Sequence, residues 1–208
     1  MSNQILIFGC NGQLGKSIAD IFPDGIKYSR VECDFNNPED VRKSILRIKP
    51  EVIINCAAYT DVNHSEIDIK KALKINSIAV KAIALAANII DALVIHFSTD
   101  YVFDGSNSGS YTENSPTNPI NNYGKSKLQG EKKLIKFNSK YIIIRTSWVY
   151  GNGKNNFVYK IITNIQQKKN LAVVDYECSS PTYTKSLAFI VKMFIDKYFR
   201  KSKKKLEY

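Results

Sequence analysis

The sequence predicts an α/β domain built on a doubly wound parallel sheet. Three observations predict it. Short apolar runs of strand length recur along the 208 residues, helix-length segments separate them, and a glycine-rich turn joins the first run to the first helix.

The first apolar run is Ile5-Leu6-Ile7-Phe8, and a weaker one lies at Ile26 to Tyr28. Val52-Ile53-Ile54-Asn55, Leu93 to Phe97, Tyr141 to Ile144 and Leu171 to Val174 follow. Continuous apolar runs of this length suit strands buried on both faces. The helices between them are Gly12 to Phe22, stopped by Pro23, then Pro38 to Ile48, capped by Asn37, and Ala72 to Asn88. Asn122 to Phe137, Phe157 to Lys168 and Thr184 to Phe199 complete the set. Ser98 to Asn121 has no periodicity. It starts at the carboxyl end of a strand, where open α/β sheets bind ligands.

Hydrophobic residues make up 44% and charged residues 24%, a globular balance. No apolar run reaches membrane-spanning length and no basic leader precedes the first strand. The expectation is a cytoplasmic chain with no membrane partner. Cys10, Cys33, Cys56 and Cys178 share no metal-ligand spacing and read as reduced, structural thiols. His64 and His96 are far apart, so no metal site is predicted. The net charge of +11 is scattered apart from a basic tail at 200–208, and no nucleic-acid-binding motif accompanies it. An anionic small ligand is the simpler partner, and nucleic acid is not expected.

Gly9-Cys10-Asn11-Gly12-Gln13-Leu14-Gly15 has GxxGxxG spacing between a strand and a helix. Gly9 would allow a sharp turn, Gly12 a close approach to a pyrophosphate, and Gly15 tight packing of helix on strand. The helix N-terminus would then offer free N–H groups to phosphate. An acidic residue commonly ends the second strand in NAD sites. Here that place holds Tyr28-Ser29-Arg30, and Arg30 would suit a 2′-phosphate, which leans towards NADPH over NADH.

Tyr123 and Lys127 stand four apart on one helix and so share a face. An ammonium beside the phenol would lower its pKa and ready it to protonate a carbonyl oxygen as hydride arrives. A third group should hold that oxygen. Ser98 and Thr99 both lie at a strand end, and Thr99 is the choice.

These residues resemble the extended short-chain dehydrogenase/reductases, and among them the dTDP-4-dehydrorhamnose reductase family. The likeness rests on Phe8-Gly9 with Gly12 to Gly15, Asp34-Phe35, Lys49 to Asn55, Ala57 to Thr60 and Asn76. It continues through His96 to Gly105, Tyr123 to Leu128 with Gly130-Glu131, Arg145 to Tyr150, and Asn155 to Phe157. The resemblance implies that Gly12, Gln13 and Leu14 lie on the pyrophosphate, and Asp34 and Phe35 near the adenine. Ala58, Tyr59, Thr60 and Phe97 would also line the cofactor, together with Tyr123 and Lys127. It implies a catalytic trio of Thr99, Tyr123 and Lys127, with Asp100 and Trp148 meeting the sugar. The activity implied is reduction of the C4 keto group of dTDP-4-dehydro-6-deoxy-L-mannose to dTDP-L-rhamnose, with NADPH or NADH. Mg²⁺ and a homodimer are implied by the resemblance alone.

The chain departs from the family at Asn63, where Asp is usual, and at Tyr176, Glu177 and Ser179, where Asp, Gln and Gly are usual. It also stops short of the family's length. The expected organisation is a Rossmann domain over 1–150, a partial small substrate-binding region with the last sheet elements over 151–199, and the tail. The alternative is a non-catalytic cofactor-binding chain or a regulatory subunit like that of methionine adenosyltransferase.

Overall fold

The structure is a computed structural model that describes residues 4–107, 109–153, 156–167 and 179–204, with side chains described as far as Arg200. The predicted strand Leu171–Val174 and the departures Tyr176 and Glu177 lie outside the described residues.

Five strands form one parallel sheet: β1 (Ile5–Phe8), β2 (Ile26–Tyr28), β3 (Val52–Asn55), β4 (Leu93–Thr99) and β5 (Tyr141–Thr146). Their order is β2-β1-β3-β4-β5. The chain leaves β1 towards one edge and returns to β3 on its other side, so a crevice opens beyond the carboxyl ends of β1 and β3. Helices cover both faces. On one face α1 (Gln13–Ile21) and α8 (Thr184–Lys204) bury Ile18, Leu187, Ala188, Val191 and Ile195 against Ile7, Ile54 and Ile95. On the other, α2 (Pro38–Ile48), α5 (Ala79–Ile89) and α6 (Asn122–Phe137) bury Val41, Ile45, Ile83, Ala87 and Leu134 against Leu6, Ile53 and Val94. Alternate residues of β1, β3 and β4 therefore enter opposite cores, which is why these strands read as unbroken apolar runs.

The largest differences from the sequence reading lie at two helices. The segment predicted as one helix from Ala72 begins earlier, as α3 (Val62–Ile67) and α4 (Ile69–Leu73), and passes through a π-helical turn at Lys74–Ile78 into α5. Asp61 and Asp68 cap the two short helices, accepting from His64 N and Lys71 N. The run Ile69–Ile89 is long and apolar enough to cross a membrane, yet 56% of its apolar window is buried, as suits a core helix. At the other end, α8 continues to Lys204, so the basic stretch begins as helix.

Beyond β5 the chain forms a two-stranded parallel pair, β6 (Val149–Tyr150) and β7 (Thr182–Tyr183), with α7 (Phe157–Gln166) between them.

Candidate active site

The glycine turn follows β1. Gly9 adopts φ +76°, and a Cβ on it would stand 2.7 Å from the Ala57 nitrogen. A Cβ on Gly15 would overlap the Gly9 carbonyl, so helix and turn touch only because both are glycine. Gly12 is the N-cap of α1 and offers no side-chain cap. The first-turn N–H groups of Gln13, Leu14 and Gly15 thus receive no side-chain cap. Gln13 and Leu14 bring backbone only. The Gln13 amide donates to Val149 O at 2.7 Å and accepts from Asn156 Nδ2 at 2.9 Å, and Leu14 packs into the core.

Against this turn lies a cleft of about 320 Å³ lined by Gly9, Gly12, Arg30, Asp34, Phe35, Ala58 and Tyr59, with Ser29 and Lys71 at the same wall. Seven of the predicted cofactor residues are gathered there; Thr60 is exposed outside it, and Phe97 is buried in the core under the sheet. Arg30 pairs loosely with Asp34 at 3.3 Å. Glu32, the first acid after β2, turns back to accept from Ser29 N at 2.7 Å and from Ser29 Oγ, and those bonds hold its carboxyl below its usual pKa.

The cleft wall is fixed from behind by asparagines. Asn55 accepts from Ala57 N at 3.1 Å and donates to His96 Nδ1 at 3.0 Å. Asn76, in the π turn, accepts from Tyr59 N and donates to Tyr59 O and Ser126 Oγ, each at 2.9 Å. Ser126 donates in turn to Tyr123 O at 2.7 Å. One buried amide so joins the cleft wall to the helix that carries Tyr123 and Lys127. Asn76 lay among the family-like residues without a role, since only the fold shows what it reaches.

Asn121 caps α6 through Gly124 N at 2.7 Å, which starts the helix so that Tyr123 and Lys127 face β4. Gly124 lets the helix meet the Tyr101 carbonyl, which a Cβ would overlap. Thr99 ends β4 beside Tyr123. Its Oγ1 accepts from Tyr101 N at 3.2 Å and donates to Asp100 Oδ1 at 3.1 Å. Asp100 Oδ2 accepts from Ser179 Oγ at 3.1 Å, and Ser179 also meets Ser147. Ser98 Oγ, the other candidate, is buried with no partner among the described residues.

The electrostatics correct one expectation. Burial pushes the Tyr123 phenol up to about 12, opposed by a hydrogen bond with the Thr99 side chain and reinforced by Asp100. The Lys127 Nζ donates to the Phe97 carbonyl at 2.6 Å. Burial pulls Lys127 itself down to about 8, with the Glu131 carboxylate opposing. His96 is held well below its usual value by burial and by Lys127, so it is neutral.

Trp148 sits between β5 and β6 with φ +42°, a left-handed backbone that costs a bulky residue of order 1–3 kcal/mol. Its ring lies 4.7 Å from that of Phe157. Among the described residues no group of three or more His, Cys, Asp or Glu is gathered where it could hold a metal ion.

Fold and site together define the class: an NAD(P)-binding α/β protein of the short-chain dehydrogenase/reductase type. The chain belongs to the family described as RmlD substrate binding domain, matched over residues 3–208. It is 37% identical over 199 residues to dTDP-4-dehydrorhamnose reductase of Aggregatibacter actinomycetemcomitans, covering 93% of this chain and 68% of that protein. It is 38% identical over 191 residues to the enzyme of the same name from Escherichia coli K12, covering 88% and 64%. The dTDP-4-dehydrorhamnose reductase of Bacillus anthracis, solved in complex with NADP, superposes with a TM-score of 0.89 at 36% identity, covering 94% and 71%. The chain spans about two thirds of the length of the curated relatives it matches. These relatives are reductases, which supports that reading and not the regulatory-subunit alternative.

Proposed function

We propose that this chain carries the cofactor half and the proton-transfer residues of a reductase acting on dTDP-4-dehydro-6-deoxy-L-mannose, giving dTDP-L-rhamnose at the expense of NADPH or NADH. The observation that carries the reading is the convergence of Tyr123, Thr99 and Lys127 at the carboxyl end of β4, in the same sheet whose glycine turn leaves α1 without a side-chain cap. The dinucleotide, when bound, supplies the hydride.

The chain's own residues do the rest. Gln13, Leu14 and Gly15 N–H groups hold the pyrophosphate, while Arg30, Asp34 and Phe35 surround the adenosine end. Ala58 and Tyr59 form the opposite wall, while Thr60 stays exposed outside the cleft and Phe97 packs in the core. Thr99 steadies the carbonyl oxygen and Tyr123 donates its proton to it. A phenol held at about 12 is fully protonated near neutrality, the loaded form of a general acid. Lys127 offers positive charge to the phenolate left behind. Asp100 and Trp148 face the sugar, and residues from 151 onward contribute to its site. A cytoplasmic homodimer completes the reading.

The test is consumption of NADPH by the purified chain with the keto sugar nucleotide. Product formation that stops on Tyr123→Phe, with NADPH binding unchanged, is the expected result. Turnover that survives Tyr123→Phe overturns the assignment of the acid, and absence of cofactor binding overturns the whole reading.

A further inference from the structure

Glu131 is a carboxylate where a core residue is expected. It lies on α6 one turn beyond Lys127, on the same face, and its side chain is 1% exposed. Arg145 of β5 grips it with two bonds, Nε to Oε1 at 3.1 Å and Nη2 to Oε2 at 2.7 Å. The Arg145 guanidinium in turn lies 5.1 Å over the Phe103 ring. A buried ion pair is seldom worth more to stability than apolar residues of the same size. Its placement beside a second buried charge calls for another reason.

Lys127 is 2% exposed, and its Nζ donates to a neutral carbonyl, that of Phe97. The titratable groups facing it are few. Tyr123 and Glu131 flank it on α6, His96 approaches from β4, and Arg145 stands behind Glu131 on β5. Of these, Glu131 alone is an anion.

We propose that the Glu131 carboxylate, gripped by Arg145, is the counter-charge that keeps Lys127 an ammonium inside the site. Glu131 is then a positioning residue for the reduction proposed above, on which this inference rests. Its charge opposes the burial that draws protons off Lys127. Arg145 sets how much of that charge Lys127 feels, since each hydrogen bond it makes draws on the same two oxygens.

The two partners predict opposite effects. Glu131→Gln removes the anion and leaves the Arg145 cation, so Lys127 should lose its proton at lower pH, by about one pH unit or more. Arg145→Met frees the carboxylate and should move the midpoint upward. The whole chain, labelled with ¹⁵N-lysine, gives a direct readout: the Lys127 Nζ signal, identified by its loss in Lys127→Met, followed through a pH titration without substrate. Glu131→Asp keeps the charge and should stay close to the parent. An unmoved midpoint in Glu131→Gln overturns the proposal, as does a downward shift in Arg145→Met. Should Glu131→Gln fail to fold, Arg145→Met decides alone. The titration needs no turnover, so a chain that proves inactive would defeat the reductase reading, while the titration alone decides whether Glu131 holds the Lys127 charge.

Discussion

The Lys127 ammonium donates to the Phe97 carbonyl at 2.6 Å, across from α6 to β4. A lysine with one neutral acceptor and almost no solvent is held charged against its surroundings. Its folded pKa of about 8 lies below the ordinary 10.5. The penalty is therefore complete below about pH 8 and is lifted as pH rises towards 10.5. Lys127→Met should remove a cost of about 3 kcal/mol at neutral pH, less about 1 kcal/mol for the unpaired Phe97 carbonyl. Denaturant unfolding should find the variant more stable by about 2 kcal/mol near pH 7, with the gain shrinking near pH 10, while reduction is lost.

His96 gives the opposite limb. Its folded pKa is depressed, so the unfolded chain binds a proton that the folded chain refuses. The stability it contributes is present above about pH 6.5 and falls by about 1.4 kcal/mol for each pH unit below. Urea midpoints between pH 7 and pH 5 should fall steeply in the parent chain and less in His96→Gln.

Asn76→Ala would orphan the N–H and C=O of Tyr59 and take one of the two partners of Ser126 Oγ. The expected loss is roughly 2–4 kcal/mol, with weaker NADPH binding even where the fold survives. Fluorescence titration of NADPH below the melting temperature checks the second part. Affinity equal to the parent would show that the clamp serves the core alone.

Arg30 stands at the cleft rim, 73% exposed, with one loose partner. Arg30→Ala should weaken NADPH by roughly ten-fold and leave NADH nearly unchanged, because only NADPH carries the extra phosphate. Equal losses for both cofactors would place the guanidinium elsewhere on the dinucleotide.

Gly15→Ala should abolish cofactor binding or folding, since its methyl meets the Gly9 carbonyl and neither helix nor turn can retreat. Circular dichroism and NADPH fluorescence separate the two outcomes.

Much of this was legible in the chain. Ile5–Phe8, Ile26–Tyr28 and Val52–Asn55 are strands to the residue, and Pro38–Ile48 and Asn122–Phe137 are helices to the residue, because caps and continuous apolar runs are local signals. The glycine turn could be read for the same reason. Other features depend on distant partners. Thr99 paired with Thr146 extends β4 beyond its apolar residues, and the π turn at Lys74–Ile78 breaks helical spacing within a uniformly apolar stretch. The resemblance places Gln13 on the pyrophosphate but says nothing of its side chain, which is spent on Val149 and Asn156, more than a hundred residues away. The fate of the Lys127 ammonium was hidden as well, since i,i+4 spacing names a neighbour on the helix and cannot name the carbonyl facing it from the sheet.

Strand β4 is buried at every one of its seven residues. Val94 and Ile95 fill opposite cores, His96 and the Phe97 carbonyl frame Lys127, and Thr99 meets Tyr123. Such a segment has no neutral positions. Any heritable change there is paid in both folding and turnover, so a library diversified across β4 should yield survivors that are nearly all parental, whereas exposed positions such as Lys185 and Ser186 on α8 can drift.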